Sequence, residues 1–498
     1  MSTIGRGVWW LSFLIFAFMG VLWSLSTAPM GSPDEPAHAL KAVAISRGQF
    51  TTEMDLRGNP KFLLVPITQV RVPEGYASLY GVTKCWVTNL NVPASCAPLV
   101  SNGETVVDST TYVGAYPPLY YALVGWPSHL MAARTGVYGM RVTSALLCAA
   151  LLASGLTSAV RMSARRVLVA GCAMAITPMV LFLGGSINPN AVEIAAAFCF
   201  WASLLAVMTR PDAITTRLVV RATVAGVLLA STRSLSPAFV VIIATVVLLM
   251  AADRQGLGQL WADRRIRVAT GILILGVLGS AAFLVLNHSF EDRFRFARPE
   301  SITRADVARQ SFEHTGRHLE QAVGTLGWIG FGRITLPRVV IDGWIVAVSG
   351  LGVIALAVGR WRERLVLITT AAGCLALPVV TETVTLRGFG WQGRYVLPLA
   401  VGVPILSGWV VDRSGRVARR TELAMVVAVA VTASIAYVVA HQTMMTRNTV
   451  GLPNGLFDGL GEGVWHGPLT PLTLFACAIV GSLVYAGWLT VLATRRLE

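Results

Sequence analysis

Acidic and basic side chains follow the first apolar segment of the chain at a spacing that could support chemistry. The acids Asp34 and Glu35 are followed by His38 and Lys41. In a helix, Asp34, His38 and Lys41 would share one side, because residues three and four apart are neighbours on a helix surface. A carboxylate can act as a general base, and the cationic groups can bind a ligand. The pattern predicts a helix at the outer membrane interface, with its polar side facing a cavity.

The same stretch also fits an ordinary helix start. Ser32 would be the N-cap, Pro33 the first helical residue, and Glu35 the third, reaching back to the Ser32 amide. An acid such as Asp34 near a helix N-terminus is also favourable. Capping does not explain the His and Lys further along the helix. Both interpretations, a catalytic or ligand-binding acidic pair and a simple cap, remain open at this stage.

Length and composition indicate a chain built largely of membrane-spanning segments. Its 498 residues are 54% hydrophobic and 13% charged, whereas soluble domains are about a quarter charged. The first apolar run, residues 8–25, lacks a clear cleavage site, so we expect a retained helix rather than a signal peptide. The formal net charge of +15 fits arginine in cytoplasmic loops. Because the chain has no long Lys/Arg tract, nucleic acid is not an expected partner.

The arginine clusters predict the topology, since cytoplasmic loops of membrane proteins are rich in basic residues. Placing these clusters inside leaves two large extracytoplasmic loops, residues 29–139 and 288–341. Residues 117–132 are too short and too polar to cross, and we expect them to lie along the membrane surface. The predicted spans are 8–28, 140–160, 167–184, 191–208, 218–232, 235–251, 268–287, 342–359, 365–381, 395–411, 423–441 and 471–491. This is an all-α polytopic fold of about 12 transmembrane helices, with both termini in the cytoplasm.

The first loop contains two further signals. Residues 62–76 and 103–113 alternate between polar and apolar side chains, which predicts a small β element. Cys85 and Cys96 lie in a polar stretch, whereas the other five cysteines fall in apolar runs. If this loop is outside the cytoplasm, a disulfide is the expected state of the pair. A metal site is the weaker alternative, because no histidine lies nearby.

Four motifs carry a resemblance to a known family. They are SPDEPAH at 32–38, YPPLYY at 116–121, SINPNAVEIAAAF at 186–198 and WQGRYVLP at 391–398. In their order and shared outward placement, they resemble the GT-C superfamily of membrane glycosyltransferases. More closely, the chain is similar to a bacterial branch of multi-span membrane proteins often described as a domain of unknown function. The resemblance covers about residues 8–411. It implies a catalytic module over 1–411 and additional C-terminal helices over 412–498.

The resemblance implies a lipid-phosphate sugar donor and an acceptor that meet at the outer face. An acidic residue of the first loop, here Asp34, would act as general base or orient the acceptor, and Glu35 would be the tandem acid of such families. Some relatives bind a divalent metal through an acid after the third helix. This chain has neutral Asn188 and Asn190 there, which argues against a metal. Asn188 before Pro189 could contact substrate or simply cap a helix.

The leaving phosphate needs cations, and arginine is the fitting ligand because its guanidinium is planar and always charged. Arg394, which lies where an outer loop enters a helix, is the first candidate, and Arg233 and Arg387 are secondary candidates. The alternative for Arg394 is interfacial snorkelling. His38, Lys41, Gln392 and Tyr395 join Arg394 as expected substrate contacts. Tyr116 and Tyr120 would stack on sugar or lipid, unless they are only part of an interfacial aromatic belt.

The sequence thus predicts an inverting glycosyltransferase in the bacterial cytoplasmic membrane, with its active site on the extracytoplasmic side. It would transfer a sugar from a polyprenyl-phosphate donor to a cell-envelope glycan, glycolipid or protein. The high Ala, Val and Arg content suggests a GC-rich bacterium, so decaprenyl-phosphate arabinofuranose or a hexose donor, and a role in cell wall biosynthesis, are candidates. The alternatives are an envelope polymer ligase, a lipid-linked glycan transporter or flippase, and a structural membrane protein.

Overall fold

Helices dominate the structure and confirm the predicted fold class. The computed structural model describes residues 3–59, 63–162, 166–209, 214–251, 253–287, 289, 295–296, 302–329, 332–385, 391–461 and 467–494. The helices are α1 (Thr3–Ser26), α2 (Glu35–Ser46), α3 (Glu74–Ala77), α4 (Leu79–Val82), α5 (Leu119–Gly125), α6 (Ala133–Ala159), α7 (Arg166–Ala175), α8 (Pro178–Gly184), α9 (Pro189–Thr209), α10 (Thr216–Ala230), α11 (Ser236–Ala251), α12 (Arg254–Ala262), α13 (Arg264–Leu286), α14 (Arg304–Glu313), α15 (Thr315–Gly324), α16 (Arg338–Val358), α17 (Trp361–Thr385), α18 (Leu397–Ala400), α19 (Gly402–Ser414), α20 (Arg419–Thr449) and α21 (Pro471–Thr494). The strands are β1 (Asp55–Asn59), β2 (Leu63–Pro73), β3 (Val106–Thr111), β4 (Arg295–Phe296), β5 (Thr325–Ile329) and β6 (Gly332–Thr335).

Every predicted span coincides with helix, although not every one is long enough to cross a bilayer alone. Within the described ranges, nine helices are long and apolar enough, and the bent pair α7–α8 would be a tenth. Helices α10 and α11 have 15 and 16 residues, fewer than the roughly 20 that a perpendicular span needs. They are the two segments interrupted by residues 231–235, where the sequence is STRSL.

The bundle has a buried centre and a greasy exterior. In the most apolar stretch of helix α9, 89% of the residues are buried. A helix enclosed on all sides is expected to be hydrophobic on all sides. It packs against α6 and α10, and α6 packs against α1. Helix α13, in contrast, is only 11% buried and exposes Leu275 and Leu286. A continuous apolar surface of this kind is the contact that a helix makes with lipid.

The first loop forms the compact cap on which the site is built. Strands β2 and β3 pair antiparallel, with Thr68 opposite Thr111 and Pro73 opposite Val106, which confirms the predicted β element. Strand β4, from the second large loop, adds to β2 through Leu63 and Phe296. The two large loops are therefore joined by a shared sheet. Residues 117–132 form α5 and a 3-10 helix at Trp126–His129, with Leu123 and Trp126 exposed.

Helix α2 does not lie at the interface as an amphipathic helix. Ten of its twelve residues are buried, because it packs against α5 on one side and against β2 and β3 on others. The predicted arrangement, apolar side towards lipid and polar stripe towards a cavity, is wrong for this helix. Its polar residues are enclosed by the cap instead.

The C-terminal helices hold the same loop from another direction. Arg447 of α20 donates to the carbonyls of Trp86 and Val92, both at 2.7 Å. Both residues lie within the segment closed by the disulfide between Cys85 and Cys96. The division of the chain at residue 411 remains a prediction, but α20 packs directly on the first loop.

Candidate functional site

Asp34 occupies a conformation that few residues other than glycine adopt. It is the N-cap of α2, with φ 61° and ψ 4°, and its side chain makes no capping hydrogen bond. Left-handed backbone is costly for a residue with a Cβ and tends to occur where the surroundings enforce it. The predicted cap at Ser32, with the helix beginning at Pro33, is therefore wrong. The Asp34 carboxylate is free to point away from the helix end.

Glu35 faces the opposite way and is fully enclosed. Its carboxylate accepts from Arg141 Nε at 2.7 Å and from Arg141 Nη2 at 2.6 Å, and both side chains are 0% exposed. It also accepts from the amide of Ile187 at 3.1 Å and from that of Ser32 at 3.4 Å. The reach back to Ser32 is the one part of the predicted capping box that is present. With every oxygen engaged and no exposed surface, Glu35 has a structural role, and we correct its assignment as a catalytic acid.

The Asp34 carboxylate forms an ion pair with Arg394, the first candidate predicted as a ligand of the leaving phosphate. Arg394 Nη2 donates to Asp34 Oδ2 at 2.6 Å, and the Tyr112 hydroxyl donates to Oδ1 at 3.0 Å. The Arg394 side chain is 5% exposed, whereas that of Asp34 is 35% exposed. The pair therefore has a buried cationic side and an open carboxylate side. The carboxylate of Asp34 is therefore the more accessible partner of the pair.

Electrostatics keep Asp34 ionised. Burial is the largest single influence and raises its pKa, but Arg394 and then His38 lower it, as do the Tyr112 hydrogen bond and Arg233. The net result is a pKa below the usual value for aspartate. The carboxylate is therefore present as the anion at neutral pH, which is the form that a general base requires.

The backbone around Arg394 is held by the second large loop. A 3-10 helix, Gly393–Val396, contains Arg394, and the Gly393 amide donates to the Gln321 side chain of α15 at 2.8 Å. A Cβ at position 393 would lie 2.0 Å from the carbonyl of His318, so only glycine allows this close approach. Arg394 Nε finds no acceptor within the described part of the chain. This part of the guanidinium is thus a buried donor without a partner among the described residues.

A second guanidinium lies beside the first. Arg233, between α10 and α11, donates to Glu193 at 3.4 Å and sits 4.3 Å from the centre of the Tyr395 ring. The Arg394 guanidinium lies 5.1 Å from the same ring, and Arg233 also approaches the Tyr116 ring at 5.8 Å. The two arginines therefore flank one aromatic side chain. The pKa of Arg233 stays above its ordinary value, because Tyr116, Glu193 and Tyr395 together outweigh burial, which is the largest influence and lowers it.

His38 and Lys41 are buried behind this cluster. Each is 3% exposed; His38 Nδ1 bonds the Tyr121 hydroxyl at 2.9 Å, and Lys41 donates to the carbonyl of Gly114. Burial lowers the pKa of His38 to about 3 and that of Lys41 to about 7. These residues support the cavity wall from within. Their predicted role as direct substrate contacts is not available in this conformation.

Two further predicted contacts are also internal. Tyr120 is 2% exposed and shares a hydrogen bond with Ser144 at 3.2 Å. Asn188 is 2% exposed and accepts from the Asn190 amide at 3.0 Å while donating to the carbonyl of Pro33 at 3.0 Å. Asn188 is thus the cap of α9, the simpler of its two interpretations. Tyr120 and Asn188 shape the site without lining it.

The other predicted residues are half-buried or undescribed. Tyr116, Gln392 and Tyr395 retain partial exposure next to the arginines. Arg387 lies outside the described residues. Among the described residues, no group of three or more His, Cys, Asp or Glu side chains is arranged to hold a metal ion.

Sequence reasoning missed two residues of the site. Tyr112, which donates to Asp34, lies in a turn of the first loop. Because a turn has no regular spacing of side chains, no sequence pattern indicates that Tyr112 belongs to the site. Arg141 could have been found, because it lies inside the predicted span 140–160, and an ionisable residue within a span usually has a specific partner. Near the site, Glu193 of α9 accepts from Ser236 at 2.6 Å and from Arg233 at 3.4 Å.

The assembled site offers a defined set of chemical abilities. An ionised, partly exposed carboxylate can accept a proton. Two guanidinium groups can neutralise an anion, and Arg394 has unused donor capacity. The half-exposed rings of Tyr116 and Tyr395 offer apolar surface and a hydroxyl to a ligand. Similar parts recur wherever a hydroxyl attacks a centre that bears an anionic leaving group.

Comparisons with known proteins place the chain in a family. No curated protein is similar in sequence. Two crystal structures of ArnT from Cupriavidus metallidurans, one bound to undecaprenyl phosphate and one in the apo state, are similar at 15% identity, covering 97% of this chain and 76% and 77% of theirs, with TM-scores of 0.43 and 0.45. The description of the matching family is "Predicted membrane protein (DUF2142)", and its model matches residues 16–403. The chain therefore belongs to this family of membrane proteins, which confirms its resemblance to multi-span membrane proteins described as a domain of unknown function.

Proposed function

We propose that the protein is an inverting membrane glycosyltransferase that moves a sugar from a polyprenyl-phosphate donor to a cell-envelope acceptor on the extracytoplasmic side. The observation that carries the proposal is the ion pair between Asp34 and Arg394. These residues are 360 positions apart in sequence, and their side chains meet at 2.6 Å. A candidate base and a candidate phosphate ligand thereby lie in direct contact, with the base partly exposed. All residues of this site precede residue 411, in the proposed catalytic module.

The reaction is a direct displacement at the anomeric carbon. Asp34 takes the proton from the acceptor hydroxyl as the acceptor oxygen forms a bond to that carbon. The bond from the carbon to the phosphate oxygen breaks, and the polyprenyl phosphate leaves with the electron pair. Attack and departure occur on opposite faces, so the anomeric configuration inverts. The products are the glycosylated acceptor and free polyprenyl phosphate, with the transferred proton on Asp34.

Arg394 and Arg233 would stabilise the phosphate as its negative charge grows. The phosphate would engage the Arg394 guanidinium, whose Nε is buried and has no acceptor among the described residues, while Nη2 stays near Asp34. Such preorganised donors cost no reorganisation at the moment of reaction, which makes electrostatic stabilisation a large contribution to catalysis. Because the leaving phosphate is already a stable anion, no separate general acid is required.

The aromatic rings would provide the sugar and lipid contacts. Tyr116 and Tyr395 are partly exposed, and both lie beside Arg233. A tyrosine ring can stack on the apolar face of a sugar, and its hydroxyl remains available for a hydrogen bond. A decaprenyl-linked arabinofuranose or hexose is the donor that we propose for a GC-rich bacterium, which the Ala, Val and Arg content suggests. The acceptor would be a glycan, glycolipid or protein of the cell envelope.

The test uses the full-length protein, purified into lipid nanodiscs and supplied with defined polyprenyl-phosphate sugars and envelope acceptors. Release of free polyprenyl phosphate together with glycosylated acceptor supports the proposal. Asp34→Asn should reduce the rate by about 10² to 10⁴, the usual contribution of a general base. Asp342→Asn is the control, because Asp342 is an exposed acid on α16.

Several outcomes contradict the proposal. Transfer by Asp34→Asn at the wild-type rate removes Asp34 as the base. If the protein moves lipid-linked glycans across liposome membranes without releasing polyprenyl phosphate from any donor, it is a transporter. Transfer restricted to polymeric lipid-linked glycans identifies a ligase instead.

A further inference from the structure

A fully buried arginine lies directly behind the acidic pair. Arg141 of α6 is 0% exposed and donates two hydrogen bonds to the Glu35 carboxylate. Its remaining donors go to backbone carbonyls at the end of α1: Nη1 to Ser24 at 3.1 Å and Thr27 at 2.7 Å, and Nη2 to Ala28 at 2.9 Å. One side chain thus joins α6, the last turn of α1 and the first residue of α2.

The turn that Arg141 holds is strained. Met30 has φ 62° and Asp34 has φ 61°, and these are the non-glycine residues with positive φ in the described part of the chain. Residues other than glycine keep such backbone angles when contacts with the surrounding structure enforce them. The surroundings here are the contacts of the turn with α6 and with the segment before α9.

The contacts on either side of Asp34 fix its backbone. Glu35, the next residue, is held by Arg141 and by the amide of Ile187. Pro33, the preceding residue, accepts from the side chain of Asn188. Asp34 is therefore clamped at both neighbours, and its side chain is directed away from them, towards Arg394.

We propose that Arg141 is a positioning residue: through Glu35 it holds Asp34 in the left-handed conformation that keeps its carboxylate at Arg394. This inference rests on the proposed function, because it assigns a role relative to the base of that reaction. Arg141 itself contacts neither the substrate nor the cavity. Lysine can replace it only in part, because an ammonium group cannot serve two carboxylate oxygens and three carbonyls from one fixed plane.

The pH profile of the reaction separates positioning from simple stabilisation. The titratable and charged groups that interact with Asp34 are His38 on α2, Tyr80 on α4, Tyr112 after β3, Tyr121 on α5, Arg233 before α11, Arg394 and Tyr395. If Asp34 moves away from Arg394, its pKa rises, because a neighbouring opposite charge is lost. The acid limb of kcat/KM then moves to higher pH. A variant that is only less stable loses active protein but keeps the position of the limb.

The experiment compares Arg141→Lys with the double variant Arg141→Met/Glu35→Gln, each in nanodiscs and corrected for the folded fraction. The double variant avoids an unpaired buried charge, so it folds if the single variant does not. We expect kcat to fall by about 10²-fold in the double variant, the cost of a misplacement of about 1 Å. Arg141→Lys should recover part of this loss. The acid limb of kcat/KM should move to higher pH by about one unit or more.

The matched control removes another ion pair, Arg166–Glu422, which joins α7 to α20 at 2.9 Å. Arg166→Met/Glu422→Gln should leave both kcat and the acid limb unchanged in the folded protein. The positioning role is refuted if the wild type transfers sugar and the Arg141 variants keep its kcat and acid limb. It is also refuted if the control moves the limb equally. If the wild type transfers no sugar from any donor, the proposed function is refuted. That result does not depend on the Arg141 variants.

Discussion

Replacing Arg394 tests the part of the site that would hold the leaving phosphate. Its guanidinium is 5% exposed and donates to Asp34 at 2.6 Å, while Nε has no acceptor within the described residues. Arg394→Ala removes every donor at this position and leaves Asp34 without its nearest cation. Arg394→Lys keeps the charge but replaces a planar fork with a single point of donation.

The magnitude follows from the number of donors lost. Removing one preorganised donor from a developing oxyanion costs about 2.7–4 kcal/mol, or about 10²–10³ in rate. Because the phosphate is already anionic in the bound donor, part of this cost should appear in binding. We therefore expect Arg394→Ala to weaken binding of polyprenyl phosphate by at least about 10-fold, equivalent to about 1.4 kcal/mol, and to lower turnover further. Arg394→Lys should fall between alanine and wild type.

The assay measures the affinity of each purified variant for polyprenyl phosphate in nanodiscs, followed by single-turnover transfer. Arg338→Ala is the control, because Arg338 is 67% exposed and pairs only with exposed or half-exposed acids, Glu320 and Asp342. It should bind the lipid as the wild type does. Equal affinity and turnover in wild type, Arg394→Ala and Arg394→Lys would refute the reasoning, and Arg394 would then be only the ion-pair partner of Asp34.

Two further predictions concern the cap formed by the first loop. Burial lowers the pKa of Lys41 from 10.5 to about 7, so between these values the unfolded chain binds a proton that the folded chain does not. Stability against thermal unfolding should therefore rise with pH across that window, and Lys41→Met should flatten this rise; an unchanged slope in the variant would contradict it. Cys85 and Cys96, joined by a disulfide, should react with a membrane-impermeant thiol reagent on whole cells only after reduction, and failure to react after reduction would place the first loop inside.

The membrane class and the helical segments could be predicted from the sequence, because they depend on local properties. Hydropathy over about 20 residues defines a span wherever the rest of the chain lies. The same holds for β2 and β3, where alternation along the strand is visible without the partner. Arg394 and Asp34 could be named as separate candidates from their positions at the ends of apolar segments. Local patterns also suggested a cap at Asn188, and the structure has one.

The roles within the acidic pair were decided by tertiary structure. The sequence placed Asp34 and Glu35 together as one catalytic feature, yet one carboxylate is 35% exposed and the other is 0% exposed. The difference arises because α2 begins at Glu35, and a left-handed residue at the N-cap directs the two side chains to opposite sides. Local propensity does not predict that conformation at this position, because aspartate tolerates it better than most residues but adopts it only occasionally.

The remaining errors have the same physical origin. A helical spacing shows that His38 and Lys41 share a face, but it does not show what covers that face; here Tyr121 and the Gly114 carbonyl do. The meeting of Asp34 with Arg394 joins positions 360 residues apart. Contacts of that range depend on how loops and helices pack, and packing is a property of the whole fold. The sequence alone determined which elements form and which residues could react, and the tertiary structure determined which of those residues are exposed and paired.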